Sequence, residues 1–260
     1  MGGITVLEIN GRNLTLLKNS VIRVSLSIPE MVRVEGGRFI MGNYPGNTLQ
    51  VSVSDFAIGK YPVTNAEYNG FLCAIGKERN IRDKNHLFLG DNQPVVNVSW
   101  EDAMGYCDFL NSLKLPRKDV TGLRRFSLPT DAQWEYAARG PLGRKYPWGN
   151  EPYAGRVNFN SQYTTPVNAY PLGATPSGIF DMSGNVYEWI YDWYIVYDKF
   201  LEYLHKNPDD PKGPDSGGFR VMRGGSWKSA NPDMLLAYFR NYNRPNVANN
   251  IIGFRIAENF

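Results

Sequence analysis

Four positions carry the side chains most often used for nucleophilic or metal chemistry: Cys73, Cys107, His86 and His205. A thiol nucleophile needs a neighbouring base or positive field, and zinc needs cysteine and histidine at short spacings. These four are scattered. No Ser/His/Asp arrangement, phosphate-cradling loop or zinc spacing accompanies them. Cys107 falls on the apolar helical face of Ala103, Met104, Leu110 and Leu113, and Cys73 sits between Leu72 and Ala74. Both are therefore expected to be packed thiols, and the histidines to be surface residues.

The residues between Phe219 and Ala257 suit contact chemistry better than bond-making. Lys228 to Ile252 shows neither helical nor strand periodicity and is rich in asparagine: Asn231, Asn241, Asn243, Asn246, Asn249 and Asn250. Tyr238, Phe239 and Tyr242 lie among them. Asparagine offers versatile hydrogen bonding, and tyrosine offers contact area at low entropic cost. The two flanks read as rigid frame. Arg223-Gly224-Gly225-Ser226-Trp227 sets two conformationally free glycines beside an aromatic anchor, and Gly253-Phe254-Arg255-Ile256-Ala257 alternates like a short core strand.

The elements that must position this stretch are partly legible. Capping boxes open three helices, at Thr64-Asn65-Ala66-Glu67, Ser99-Trp100-Glu101-Asp102 and Thr130-Asp131-Ala132-Gln133. Gly76 and Gly140 end the first and third. Residues 4–28 are β-branched and broken by Asn10-Gly11, which predicts a hairpin within an N-terminal strand cap over residues 1–30. The main domain is expected over 31–260. Val32, Val34, Phe39 and Met41 flank Gly36-Gly37 and read as a strand pair, and Val51 to Phe56 reads as one further strand. After Gly140 periodicity fades, and Lys206 to Gly218 reads as a stiff exposed linker.

At 260 residues the chain can bury a substantial core, and 26 glycines with 17 prolines suit a loop-rich α+β domain better than a helical bundle. A net charge of +3, evenly spread, argues against nucleic acid as a partner. No stretch approaches the roughly 20 apolar residues of a membrane span. The N-terminus has no signal-peptide pattern, so a cytoplasmic location or assembly into a virus particle is expected.

Several phrases occur in one order: GGRFIMG (36–42), YPVTNAEYNGFL (61–72), PVVNVSWEDAMGYCDFL (94–110), SLPTDAQWEYAARG (127–140), YPWGN (146–150), GIFDMSGNVYEW (178–189), RVMRGGSW (220–227) and GFRIA (253–257). The set resembles the formylglycine-generating enzyme, or sulfatase-modifying factor, superfamily, which implies an elaborated C-type lectin fold. Oxidase members of that family carry a copper-binding cysteine pair after GGSW. Here the corresponding stretch has none, so no catalytic residue and no copper are expected. Related sulfoxide synthases use three histidines on a separate helical bundle, and this chain has two histidines in all.

A branch of the family that the chain resembles more closely is the variable proteins of diversity-generating retroelements. In these, adenine-directed mutagenesis rewrites the C-terminal part of the lectin domain, here about 221–257, as a ligand-binding surface. Asparagine codons cannot become Lys, Glu, Gln, Met or Trp by that route, and between Lys228 and Ile252 only Lys228 and Met234 fall outside the reachable set. The ligand-facing residues implied are Lys228, Ser229, Asn231, Asp233, Tyr238, Phe239, Asn241, Tyr242, Asn243, Val247, Asn249 and Asn250. Arg240, Pro245 and part of Met234 to Ala237 read as structural. The same resemblance makes Asp181, Gly184, Val186 and Glu188 a calcium loop, with Asn185 a further ligand or a brace; the alternative is a polar turn before Glu188-Trp189 with Glu188 paired to an arginine. The implied partner is a protein or cell-surface ligand. The alternatives are a copper-dependent oxidase acting on sulfatases and an interaction module with one fixed partner.

Overall fold

The computed structural model describes residues 4–9, 12–17, 24–43, 47–78, 86–117, 122–151 and 153–260. An N-terminal sheet pairs β1 (Ile4–Ile9) with β2 (Arg12–Leu17) antiparallel and with β3 (Val24–Leu26) parallel. The hairpin read at Asn10-Gly11 is thus formed by its strands, while the turn itself lies outside the described residues.

β4 (Met31–Val34) and β5 (Gly37–Asn43) flank the two glycines but do not pair with each other. β5 forms a hairpin with β6 (Asn47–Val53), whereas β4 joins β7 (Phe56–Gly59). The cause is local. The Gly36 N–H donates to Asp55 Oδ1 at 2.8 Å, and a Cβ on Gly36 would lie 2.3 Å from the Val53 carbonyl oxygen. The glycines therefore dock on the β6–β7 junction instead of folding back. That junction also divides the Val51–Phe56 run into two strands of different sheets. The Ser54 N–H is held there by Asp210 Oδ1 at 2.7 Å, so part of the expected linker loop is stitched to the sheet.

The three capped helices form at the predicted starts. In α1 (Asn65–Ala74) the Thr64 hydroxyl accepts from the Glu67 N–H and the Glu67 carboxylate accepts from the Thr64 N–H at 2.8 Å. Ser99 and Asp102 close the same reciprocal pair on α2 (Trp100–Ser112), and Thr130 and Gln133 on α3 (Asp131–Arg139). Two orphan N–H groups are thereby satisfied at each start. Cys107 faces the core and is fully buried, which pushes its thiol well above the ordinary range. Cys73 corrects the sequence reading: it is exposed, because the buried stripe of α1 is Tyr68, Phe71 and Leu72.

Beyond Gly140 the chain is more regular than its pattern suggests. β9 (Tyr187–Trp193) is followed by α4 (Tyr197–Lys206), which buries Phe200 and Leu204 one turn apart without any side-chain cap at Val196. β10 (Arg220–Arg223), β11 (Asn241–Asn243) and β12 (Ile252–Gly253) complete a sheet of order β11-β10-β9-β12. β13 (Ala257–Asn259) lies between β7 and β8 (Phe126–Ser127) in the sheet β4-β7-β13-β8. One core packs α1 and α2 on Trp189, Met222 and Phe254; the other packs α3, α4 and β5–β6 around Trp134. Each large side chain buried this way contributes about 1.5–3 kcal/mol. The segment from Lys228 to Ile251 is strung between two strands of one sheet.

Candidate ligand-binding face

The entry to the segment is a sharp turn. Gly224 and Gly225 have φ of +90° and +73°, and a Cβ on Gly225 would lie 2.8 Å from the Met234 carbonyl oxygen. Trp227 follows, its ring 5.5 Å from that of Phe88. Its indole Nε1–H donates to the Asn250 carbonyl oxygen at 2.9 Å, and its backbone N–H donates to the Asn185 carbonyl at 2.8 Å. Entry and exit of the segment are thus joined directly.

The middle is held by buried charge. Arg223 is fully buried; its guanidinium pairs with Asp131 and with Glu135 Oε2 at 2.8 Å, and donates to the carbonyls of Ala237 and Phe239 at 3.3 and 3.2 Å. Arg240 comes from the segment itself. Its Nε donates to Asp131 Oδ2 at 2.7 Å, and its guanidinium lies 3.7 Å from the Phe200 ring centre. Burial alone would raise the Asp131 carboxyl, but Arg223 and Arg240 outweigh it and hold the group below its ordinary range. Leu235, Leu236 and Ala237 are core, as their apolar run implies. The Pro245 carbonyl accepts from Trp100 N–H and the Asn249 carbonyl from Asn97 N–H, both at 2.9 Å.

Between these ties, Lys228, Asn231, Asp233 and Tyr242 are exposed. Tyr238, Phe239, Asn241, Asn243, Val247, Asn249 and Asn250 are half-buried. Ser229 does not belong with them: it is buried, and its hydroxyl accepts from the Ser226 N–H at 3.0 Å to brace the turn. The asparagines brace their own backbone. Asn231, Asn241, Asn243 and Asn249 each accept a nearby N–H on Oδ1, at 2.8 to 3.2 Å. Each such amide also carries two Nδ2 donors. Tyr242 stacks on Tyr194 at 4.2 Å and meets Phe219 edge-on at 5.1 Å. Sequence reasoning leaves out Arg244 and Asn246, which with Pro245, Glu101, Gly218 and Phe219 line a concavity of about 480 Å³. The turn-forming Arg244-Pro245-Asn246 was the available signal; Glu101 and Phe219 come from distant sequence.

The expected calcium loop is a tight turn with Asp181, Gly184 and Asn185 at φ of +54°, +74° and +60°. Asn185 braces it: Nδ2 donates to Asp181 Oδ2 at 2.8 Å and to the Thr165 carbonyl at 3.1 Å. Glu188 is bound by Arg255, through Nη2 at 2.6 Å and Nε at 2.7 Å, and by Trp134 Nε1 at 2.7 Å. Those three donors occupy three of a carboxylate's roughly four acceptor sites. Among the described residues Asp181 makes no ion pair; Arg255, which acts on it at a distance, is bonded to Glu188. Burial pushes its carboxyl up to about 7, against the opposing pull of Asn185 and Arg255. A buried carboxylate so poorly matched fits a hard cation, which would use Asp181, the carbonyls of Gly184 and Val186, and the remaining capacity of Glu188. The described residues contain no cluster of three or more His, Cys, Asp or Glu, so any such site rests on two carboxylates and backbone oxygens. Copper does not fit: the segment carries no thiol, and the two thiols of the chain are apart in character, Cys107 buried in the core from α2 and Cys73 exposed on α1.

The sulfatase-modifying factor enzyme 1-like domain model matches residues 19–260. A Chlamydia pneumoniae protein named serine/threonine-protein kinase pkn1 is 35% identical over 89% of this chain, which spans only 38% of that relative's length. The formylglycine-generating enzyme of Streptomyces coelicolor is 34% identical, over 87% of this chain and 88% of its own. The mouse inactive C-alpha-formylglycine-generating enzyme 2 is 30% identical, over 88% and 85%. Among solved structures, PvdO from Pseudomonas aeruginosa superposes with a TM-score of 0.73 at 27% identity, covering 89% of this chain and 95% of its own. Treponema denticola variable protein 1 superposes at 0.69 and 22% identity, covering 98% of both chains, a likeness of fold. Enzymes and an inactive member thus share this architecture. Among the described residues no helix is long and apolar enough to cross a membrane.

Proposed function

The chain belongs to the sulfatase-modifying factor enzyme 1-like family, and from that premise we propose that it is a non-catalytic ligand-binding protein whose C-terminal surface is rewritten by a diversity-generating retroelement. One observation carries the reading. The segment from Lys228 to Ile252 has no cysteine for copper chemistry, yet it is pinned at both ends and displays asparagine amides and tyrosine rings between its ties. Such a surface binds by many small contacts whose geometry the frame fixes in advance, which lowers the ordering cost of association. The ligand would be a protein or another cell-surface molecule. Calcium at Asp181 to Glu188 would be structural, neutralising a buried carboxylate behind the turn that carries Trp227.

Sequencing sibling copies of the gene tests the diversification. Differences should concentrate at codons for exposed and half-buried positions such as Asn241, Tyr242 and Asn249, and spare Arg223, Trp227 and Arg240. A template copy of the segment, differing mainly at adenines, should lie beside a reverse transcriptase gene. An unchanged segment across siblings would defeat the reading. The formylglycine-generating relative at 34% identity keeps an oxidase reading in view. Incubating the purified protein with copper and a sulfatase-motif peptide should give no formylglycine; conversion of the cysteine to aldehyde would establish the enzyme instead.

A further inference from the structure

The concavity lined by Glu101, Gly218, Phe219, Arg244, Pro245 and Asn246 joins the segment to two places outside it. Arg244 is exposed, and its guanidinium has no ion-pair partner among the described residues. A second cation adjoins the site. Arg220 follows Phe219 in the chain, and its guanidinium is clamped between the rings of Trp100 and Trp193, at 3.7 and 3.5 Å from their centres. Trp100 in turn precedes Glu101. Arg220 is only 9% exposed, donates through Nη1 to the neutral Tyr191 carbonyl, and has a buried Nε with no acceptor. Burial draws its guanidinium down to about 10, so it is still charged at neutral pH. Stacking offsets part of the cost of burying such a charge but supplies no counter-ion. The concavity itself is lined by one cation, Arg244, and one carboxylate, Glu101; Arg220 lies behind it, within the field of Glu101 and of the buried Asp192, whose own carboxyl is raised to about 8. Phe219 and Tyr242, 5.1 Å apart, form an aromatic wall beside the concavity.

We propose that this concavity is a subsite for a carboxylate side chain on an extended acidic segment of a protein partner. Arg244 grips the carboxylate, Arg220 adds positive field from the strand position after Phe219, and Phe219, backed by Tyr242, packs on the partner's aliphatic carbons. The subsite deepens the reading of the segment as a ligand surface and rests on it. It gives that surface a fixed part, because Glu101, Phe219 and Arg220 lie outside the diversified residues.

The test uses the full chain and two fluorescein-labelled hexapeptides, blocked at both ends, with a central glutamate or glutamine between leucine and alanine residues. Fluorescence anisotropy should show the glutamate peptide binding about tenfold more tightly, an advantage that shrinks in 0.5 M salt. Arg244→Gln should abolish the preference, and Glu101→Gln should strengthen glutamate binding severalfold. If Arg220→Gln does not fold, these two surface variants still decide the matter. Equal binding of the two peptides, binding of neither at millimolar protein, or weaker binding by Glu101→Gln would each overturn the subsite. The two proposals fail separately. A segment that varies among siblings without carboxylate preference loses only the subsite; carboxylate preference with an invariant segment loses only the diversification.

Discussion

The Trp227 indole and the Asn250 carbonyl, 23 residues apart, meet at 2.9 Å and close the segment between them into a loop. The closure involves a side chain of the frame and a main-chain oxygen of the segment, so the residue type at 250 does not enter. Trp227→Phe keeps most of the ring against Phe88 but leaves that oxygen without its donor. The expected cost is about 1–3 kcal/mol in urea unfolding. An unchanged midpoint would mean that the loop closes without this bond.

Positions inside the segment should divide sharply in their tolerance. Arg240→Ala removes one partner of a fully buried pair and leaves Asp131 under-compensated, which should cost about 3–5 kcal/mol. Asn246→Ala and Lys228→Ala alter exposed side chains and should stay within about 0.5 kcal/mol. Denaturant midpoints of the three variants, at equal m-values, check the division. A mild Arg240 variant would remove the structural basis for calling that position fixed.

The two thiols should differ as much as their surroundings. Cys73 is exposed and should react with a thiol reagent in the native protein within minutes. Cys107 is fully buried with its thiol raised by desolvation, and should react only on unfolding. Mass spectrometry of the labelled protein distinguishes them, and rapid labelling of both would contradict the packing of α2.

Asp181 gives a pH signature with a definite sign. Its carboxyl is raised to about 7 in the fold from an ordinary value near 4, so the native state holds a proton that the unfolded chain has released. Its contribution to stability is therefore full below about pH 4 and is lost as pH rises towards 7. Asp192 is raised to about 8 by burial and then by Asp131, and adds to the same trend. Asp181→Asn should flatten the profile by its own share and raise Tm at pH 8.

Calcium follows from the same group. A bound cation stabilises the charged carboxylate, so millimolar calcium should raise Tm by several degrees at pH 8 and by little at pH 5. The Asp181→Asn variant should lose most of that response. A chelator titration without any change in Tm at pH 8 would show that the loop stands without the ion.

Much of the frame could be read from local signals because its determinants are local. Thr64, Ser99 and Thr130 each meet their helical partners three residues on, so the caps are visible as short phrases. α4 escaped because Val196 carries no cap and its buried stripe is two residues, Phe200 and Leu204. The strand partners near Gly36 were misread because the deciding contact, with Asp55, spans 19 residues and the alternation is silent about partners. In the site, the apolar Leu235-Leu236-Ala237 run announced itself as core. The burial of Ser229 did not, since a serine looks the same on a surface and beneath a turn. The links from Arg223 and Arg240 to Asp131, 92 and 109 residues away, are properties of the folded sheet and have no signature in sequence.

Most of the ties on the segment grasp peptide groups. Ala237, Phe239, Pro245, Asn249 and Asn250 are all held by their carbonyl oxygens. Every amino acid brings that same oxygen, so the frame is blind to spelling, but it does count letters. One residue gained or lost between Arg240 and Pro245 would put the wrong carbonyl opposite Trp100 and Asn97. Variation that works by exchanging bases, leaving the reading length alone, is the kind this architecture can survive.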